Sequence, residues 1–216
     1  MNILVVVAHS DDQILGVGGT IARYLDQGHT VKTIICTDGE LTHPHFKKEV
    51  IKDIRRKESE KADEFLGGDG VLFMGLSEGK LISLLKKKTP PPFLADMLSS
   101  FKPDLIFTHA LDEAHPEHIA VAQYVLSTYD SAPASLKKKL AVYSFGVWRL
   151  VKWKQRNTPR MVVDISSYFT KKIQAIRLFK SQKLAMFTLI ASVYIKAITS
   201  GFRYQKNFVE VFYKLR

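Results

Sequence analysis

The stretch VVVAHSDDQILGVGGT (residues 5–20) decides the predicted fold, because a strand-like run ends directly in polar side chains. A continuous apolar, β-branched run is typical of a strand that is buried on both faces of a parallel sheet. His9, Asp11 and Asp12 follow it at once, and a helix-like segment begins after them. Ligands of parallel sheets bind beyond the carboxyl ends of the strands, so these three side chains are candidates for a functional site.

Similar apolar runs alternate with longer helix-like segments along the first 145 residues. The predicted strands span residues 2–8, 30–36, 71–74, 104–108 and 140–145, and the predicted helices span 14–27, 47–66, 91–101 and 117–129. This alternation predicts an α/β fold, a Rossmann-like three-layer sandwich with a mostly parallel central sheet and helices on both faces.

The pattern after residue 150 is less regular. It predicts a strand at 160–165, a long helix from about 167 to 198 and a final strand at 207–213, packed together on the edge of the sheet. The 216 residues, 46% of them hydrophobic, can bury one large core. We therefore expect a single domain that spans residues 1–216.

An apolar stretch at 184–198 raises the alternative of a contact with a membrane surface. It is too short to span a bilayer, which needs about 20 apolar residues. A basic segment precedes it, as in interfacial helices. We expect an ordinary packed helix instead, because the chain returns afterwards to an alternating strand.

The composition limits the compartment and the partners. Lys and Arg number 32 against 21 Asp and Glu, a net charge of +11 that would attract anionic partners. The basic clusters at 86–88 and 137–139 contain no aromatic residues for base stacking, so no nucleic acid is expected. The single cysteine, Cys36, excludes an internal disulfide. The N-terminal apolar run lacks the basic segment and cleavage site of a signal peptide, so a cytoplasmic protein is expected.

A second polar loop, HALDEAHPEH (109–118), follows the fourth predicted strand. This strand is expected beside the first one in a fold of this class, so the two loops should meet across one crevice. They carry eight candidate side chains between them: His9, Asp11, Asp12, His109, Asp112, His115, Glu117 and His118.

Imidazole and carboxylate side chains in this mixture favour a catalytic zinc site, which uses three protein ligands and leaves one position for water. His9, Asp12 and one histidine of HPEH would supply the three ligands. A structural alternative exists for each loop alone. Asp11 or Asp12 could cap the following helix, and Pro116 and Glu117 are good residues for a first helical turn.

Two other patterns carry weaker signals. GVGGT at 16–20 lacks the spacing of a dinucleotide fingerprint, and its glycines are better explained by a helix that approaches the sheet closely. HPH at 43–45 has two histidines but no carboxylate, which makes it a poor metal ligand set.

The motifs resemble those of the LmbE-like or PIG-L family of zinc-dependent N-acetylglucosaminide deacetylases. Ala8–Gln13 is similar to the family motif A-H-P-D-D-E, and His115–His118 to H-P-D-H. CTDGE at 36–40 is similar to the turn T-x-G-E, and the helical segment Arg55–Ala62 resembles R-x-x-E-x-x-x-A. The likeness covers nearly the whole chain.

This resemblance implies roles for seven residues. Zinc would be bound by His9, Asp12 and His118. Asp11 would be the general base, and His115 would stabilise the oxyanion or protonate the departing amine. Glu40 and Arg55 match positions near the sugar pocket.

Three residues depart from the family's ligand motifs: Ser10 and Gln13 in the first loop, and Glu117, which replaces the aspartate of H-P-D-H and keeps its charge with a longer reach, in the second. Ser10 replaces the motif proline and removes a restraint on φ. Gln13 replaces the motif glutamate, so a charged acceptor beside the metal becomes a neutral amide. Changes of this kind commonly cost ten- to a hundredfold in metal affinity or activity.

The leading functional hypothesis is hydrolysis of the acetamide of an N-acetylglucosamine-type sugar conjugate, which releases acetate and a free amine. The alternative is a non-catalytic protein that binds an anionic sugar, nucleotide or nucleic acid, as the charge and Gln13 suggest. The sequence identifies neither the conjugate nor the assembly, although a sheet edge or the C-terminal helix could mediate homo-oligomers.

Overall fold

The structure is a computed structural model that describes residues 1–40, 47–87, 89–148 and 158–216, with only the backbone of Leu184 and Ala185. Its centre is a seven-stranded sheet in the order β3-β2-β1-β4-β5-β7-β6. The strands are β1 Asn2–Val7, β2 Thr30–Thr37, β3 Val71–Leu76, β4 Leu105–His109, β5 Ala141–Phe145, β6 Arg160–Asp164 and β7 Val209–Lys214. The first five strands are parallel to one another, and β7 is antiparallel to β5 and β6.

Eight α-helices cover the sheet in the described part of the chain. They are α1 Asp12–Asp26, α2 Lys48–Leu66, α3 Leu81–Leu85, α4 Phe93–Phe101, α5 Pro116–Ser131, α6 Ala134–Lys137, α7 Phe169–Ile176 and α8 Lys183–Tyr204. Short 3-10 turns lie at Glu78–Lys80 and Lys180–Gln182. None of the helices in the described ranges is long and apolar enough to cross a membrane.

Two hydrophobic cores lie on opposite faces of the sheet, and β1 contributes to both. Ile3, Val5 and Val7 pack into the core formed with α1, α2, α7 and α8. Leu4 and Val6 pack into the core formed with α3, α4 and α5. This confirms the three-layer sandwich, and it explains why the strand has no alternation of apolar and polar residues.

The helix predicted from about 167 to 198 is interrupted in the structure. The chain leaves α7 after Ile176 and begins α8 at Lys183. Between them, Ser181 donates from its backbone N–H and its hydroxyl to the carboxylate of Glu58 on α2, at 2.8 and 2.6 Å. A side-chain acceptor can take a backbone N–H away from its helical carbonyl partner, and this competition interrupts a helix.

The C-terminal strand β7 lies between β5 and the edge strand β6. The C-terminal segment thus packs at the sheet edge, as expected. Glu210 on β7 is buried and accepts from the backbone N–H groups of Gly19 and Thr20 on α1. Lys172 donates to the same carboxylate at 2.6 Å. These contacts fix α1, and with it the loop that precedes α1, against the sheet.

Glycine makes the close approach of α1 possible. A Cβ atom at Gly16 would lie 2.1 Å from the ring of Phe145, and one at Gly19 would lie 2.7 Å from Ile165. The expectation that GVGGT serves helix packing is therefore confirmed.

Candidate metal centre

The two polar loops meet because β1 and β4 are parallel neighbours, with Val5 paired to Phe107. The first loop leaves β1 at Val7 and carries His9 and Asp12. The second leaves β4 at His109 and leads to His118 in the first turns of α5. Both loops therefore emerge from the same edge of the sheet, as the sequence predicted.

Three ligand atoms converge at this edge. Asp12 Oδ2 lies 3.2 Å from His9 Nδ1 and 3.3 Å from His118 Nε2, and the two nitrogens are 3.3 Å apart. Ligands at 2.0–2.1 Å from a tetrahedral zinc ion are about 3.3 Å from one another. The three side chains expected as ligands therefore fit zinc in chemistry and in spacing.

The second nitrogen of His9 is held by the neighbouring loop. His9 Nε2 lies 2.8 Å from Glu117 Oε2, and the rings of His9 and His118 are 5.3 Å apart. A carboxylate at Nε2 holds the proton there, so that a metal ion could take the place of the proton on Nδ1. Burial opposes the charged imidazole, but the hydrogen bonds with Asp12 and Glu117 outweigh it and raise the pKa of His9 to about 10. The site thus favours positive charge.

His109 packs behind the candidate metal ligands, against His118 and the backbone of Ala8. It is fully buried, its ring stacks on that of His118 at 3.8 Å, and its Nε2 accepts the backbone N–H of Ala8 at 3.0 Å. Burial and the nearby His118 lower the pKa of His109 to about 3, so this imidazole is neutral. The sequence included His109 among the candidates; in the structure it packs against a ligand and the ligand loop.

A cavity of about 160 Å³ opens beside the three ligands. Its lining consists of His9, Asp11, Asp12, Leu15, Arg55, Glu78, His115, Val147, Trp148, Gln182 and Leu189. Glu78 and Trp148 were not anticipated from the sequence. They come from segments with no motif of their own and reach the cavity only through the packing of the chain.

Asp11 faces this cavity and does not cap α1. It occupies the N-cap position without a capping hydrogen bond from its side chain, and its Oδ2 lies 3.5 Å from Nη2 of Arg55. Arg55 is only 2% exposed, and its Nε and Nη1 have no hydrogen-bond partner among the described residues. Gly39 makes room for it, since a Cβ there would lie 2.8 Å from Arg55 Nε. Buried donors of this kind favour an acceptor on a bound ligand.

His115 both caps α5 and lines the cavity. Its Nδ1 accepts the backbone N–H of Glu117 at 3.3 Å, with Pro116 in the first helical position. The neutral ring therefore carries its proton on Nε2. Burial, with the charges of His9 and His118, lowers the pKa of His115 and favours this neutral form. The structural and the catalytic interpretation of this residue are compatible.

Glu40 lies in a neighbouring cavity of about 340 Å³ and is not part of the lining beside the metal ligands. Its Oε1 accepts the backbone N–H of Glu78 at 3.2 Å. Glu40 therefore holds the turn that carries Glu78, which lines the cavity beside the metal ligands. The pair of histidines at 43–45 lies outside the described residues.

The comparisons with known proteins agree with this geometry. The family model described as PIG-L, GlcNAc-PI de-N-acetylase, matches residues 4–129. This chain belongs to the PIG-L family. The matched range includes both ligand loops and Arg55.

Two curated proteins resemble this PIG-L chain. A 1D-myo-inositol 2-acetamido-2-deoxy-alpha-D-glucopyranoside deacetylase of Saccharopolyspora erythraea is 29% identical, over 67% of this chain and 59% of its own length. A probable N-acetyl-alpha-D-glucosaminyl L-malate deacetylase of Bacillus cereus is 27% identical, over 86% of this chain and 85% of its own. The chain thus spans about three fifths of the first relative.

Solved structures share the whole fold. An N,N'-diacetylchitobiose deacetylase from Pyrococcus horikoshii superposes with a TM-score of 0.81 at 21% identity. The match covers 99% of this chain and 83% of that chain. The mostly parallel sandwich predicted from the sequence is the architecture of this neighbour.

The two departures in the first ligand motif, Ser10 and Gln13, are in contact with each other. Gln13 Nε2 donates to the carbonyl oxygen of Ser10 at 3.1 Å, and Ser59 on α2 donates its hydroxyl to the same oxygen. A glutamate at position 13 would offer no donor for this carbonyl when ionised. The amide therefore supports the ligand loop in a way that the charged residue could not.

Proposed function

We propose that this chain is a zinc-dependent N-deacetylase that hydrolyses the acetamide of an N-acetylglucosamine-type sugar conjugate, acting as a single domain over residues 1–216. The observation that carries the proposal is the triangle of His9 Nδ1, Asp12 Oδ2 and His118 Nε2, with sides of 3.2 to 3.3 Å. Deacetylation of an N-acetylated sugar conjugate is the chemistry in the names of the two relatives.

Zinc bound by the three ligands would lower the pKa of a water molecule toward 7 and polarise the amide carbonyl. Asp11 is the general base that accepts the proton of the attacking water. His115 donates from Nε2 to the carbonyl oxygen as it becomes anionic. After the C–N bond breaks, a proton from Asp11 or His115 completes the free amine, and acetate leaves.

Arg55 orients the sugar in this proposal. Arg55 lines the cavity, and its Nε and Nη1 donors, which have no partner in the part of the chain that the structure describes, suit hydroxyl or anionic oxygens of the conjugate. The small N-acetylated sugar conjugates named for the relatives supply such oxygens. Glu40 acts more remotely, through the turn at Glu78.

The deciding experiment loads the protein with zinc, measures metal per chain and tests a panel of N-acetylglucosamine conjugates for acetate release. We expect one zinc per chain and stoichiometric acetate and amine from at least one conjugate. A zinc-loaded protein that releases no acetate would contradict the proposal. If it also bound anionic sugars with an affinity that falls steeply with salt, the non-catalytic alternative would replace it.

A further inference from the structure

The outward face of α8 is an exposed apolar stripe. The inward face packs Met186, Leu189, Val193 and Ala197 into the core, so the expectation of a packed helix is confirmed for that side. The opposite face exposes five large side chains, here called the α8 stripe: Phe187, Tyr194, Ile195, Ile198 and Phe202. Their spacing of seven, eight, eleven and fifteen residues from the first places them on one side of the helix.

The two phenylalanines are the most unusual members of the stripe. Phe187 is 81% exposed and Phe202 is 90% exposed, near opposite ends of the 22-residue helix. Single exposed apolar residues are normal on proteins, but an aligned row of them marks a surface that binds a partner or a membrane.

Exposed basic residues lie at both ends of the stripe. Residues 165–209 contain eight Lys and Arg and no Asp or Glu, and two of the eight, Lys172 and Lys206, pair with Glu210 and Asp164 just outside this range. Lys183 and Arg203 are exposed at the two ends of α8, and Arg177 and Lys180 are exposed just before it. An apolar helix face bordered by basic residues is the pattern of helices that lie in the headgroup region of anionic bilayers.

We propose that the α8 stripe docks this protein on the surface of an anionic membrane. The phenylalanines would insert among the acyl chains near the headgroups, while Lys183 and Arg203 contact lipid phosphates. Charge decides between a bilayer and a second copy of the chain. A two-fold symmetric contact with a second copy would bring the same basic segment against this face, whereas anionic lipid neutralises it. The inward side of α8 stays in the core, so the helix lies on the membrane without crossing it.

Cosedimentation with lipid vesicles tests the apolar part of the surface. We expect binding to phosphatidylcholine mixed with phosphatidylserine, and little binding to phosphatidylcholine alone. The double variant Phe187→Ser, Phe202→Ser should weaken binding by at least about tenfold, because both rings leave the interface. The control Phe65→Ser removes a ring that is 41% exposed on α2, a helix that contributes nothing to the stripe, and should bind as the wild type does.

A matched pair of charge reversals tests the electrostatic part. Lys183→Glu with Arg203→Glu should weaken binding to the mixed vesicles about 30-fold or more. Lys138→Glu with Lys139→Glu makes the same change in net charge on exposed residues beside α6, and should have a much smaller effect. Equal losses in both pairs would overturn the proposal, because binding would then follow the total charge.

Light scattering without lipid measures the oligomeric state and so distinguishes a membrane-binding surface from a subunit interface. A monomer that binds mixed vesicles through the stripe supports the proposal. A dimer that Phe187→Ser with Phe202→Ser converts to a monomer, without any vesicle binding by the wild type, would assign the stripe to a subunit interface and overturn it. Neither measurement depends on zinc or on deacetylation, so the result is separate from the fate of the proposed function.

Discussion

His9 Nε2 and Glu117 Oε2 lie 2.8 Å apart, although the two residues are separated by 108 positions in the chain. This contact joins the loop after β1 to the first turn of α5 and aims His9 Nδ1 at Asp12 and His118. A carboxylate behind a metal-binding histidine fixes its tautomer and its ring orientation. Glu117 is therefore expected to tune the centre without ligating the metal.

The variant Glu117→Gln should weaken zinc binding by about 10- to 100-fold, because a neutral amide holds the His9 proton less strongly. Competition with a chromogenic chelator measures this affinity. Glu78→Gln is the matched control, since its Oε1 lies 4.0 Å from the same nitrogen, beyond hydrogen-bond distance. If both variants lost affinity equally, the local negative charge would matter and the hydrogen bond would not.

Asp11→Asn should separate catalysis from metal binding. Asp11 faces the cavity beside Arg55 but is not one of the three converging ligands. We expect turnover to fall by about 10²- to 10⁴-fold, the usual contribution of a general base, with one zinc per chain retained. Acetate release and metal content are measured on the same sample. Acetate release near the wild-type rate would assign the base to another residue.

The sequence predicts the convergence of the candidate ligands because that convergence depends on a general rule of parallel sheets. His9 and Asp12 follow one strand and His118 follows its neighbour, so strand order alone brings them together. The interruption between α7 and α8 could not be predicted in this way. Helical periodicity continues through that segment, and the break depends on hydrogen bonds from Ser181 to Glu58, a residue 123 positions away.

Exchanging Gln13 for the family's glutamate should destabilise this chain. Gln13 is 1% exposed and donates to the carbonyl oxygen of Ser10. Gln13→Glu would place a buried charge against that oxygen, at a cost of about 2 kcal/mol in the free energy of unfolding. Chemical denaturation measures the loss. Gln27→Glu, the same change at the exposed end of α1, should cost only a few tenths of a kcal/mol.

Gly16→Ala should lower stability through a steric clash. The added Cβ would lie 2.1 Å from the ring of Phe145, and moving that ring costs about 1–3 kcal/mol. Gly18→Ala is the control on the same helix, because its Cβ would meet Ile14 at 3.2 Å and Lys172 at 3.3 Å. The better helix propensity of alanine, about 1 kcal/mol, should offset that tighter packing. A Gly16→Ala protein as stable as the Gly18→Ala protein would show that α1 does not need this close approach.

Asp63 should make the protein less stable as the pH rises through the weakly acidic range. Burial, and to a smaller extent Asp69, raises the pKa of Asp63 to about 6 from the ordinary 3.8, although the backbone N–H of Gly70 donates to it at 3.0 Å. At low pH both the folded and the unfolded chain hold the proton, so there is no penalty. Between these two pKa values the unfolded chain loses the proton first, and the free energy of unfolding falls as the pH rises.

Above about pH 6 the penalty is complete, up to roughly 3 kcal/mol. Asp63→Asn keeps an acceptor for Gly70 and carries no charge, so its melting temperature should exceed that of the wild type by more at about pH 8 than at about pH 4. Thermal unfolding at both values measures the difference. Glu64→Gln, the same change on the exposed neighbour, should show almost no such difference. A constant gap between Asp63→Asn and the wild type at both pH values would mean that Asp63 does not hold its proton in the folded protein.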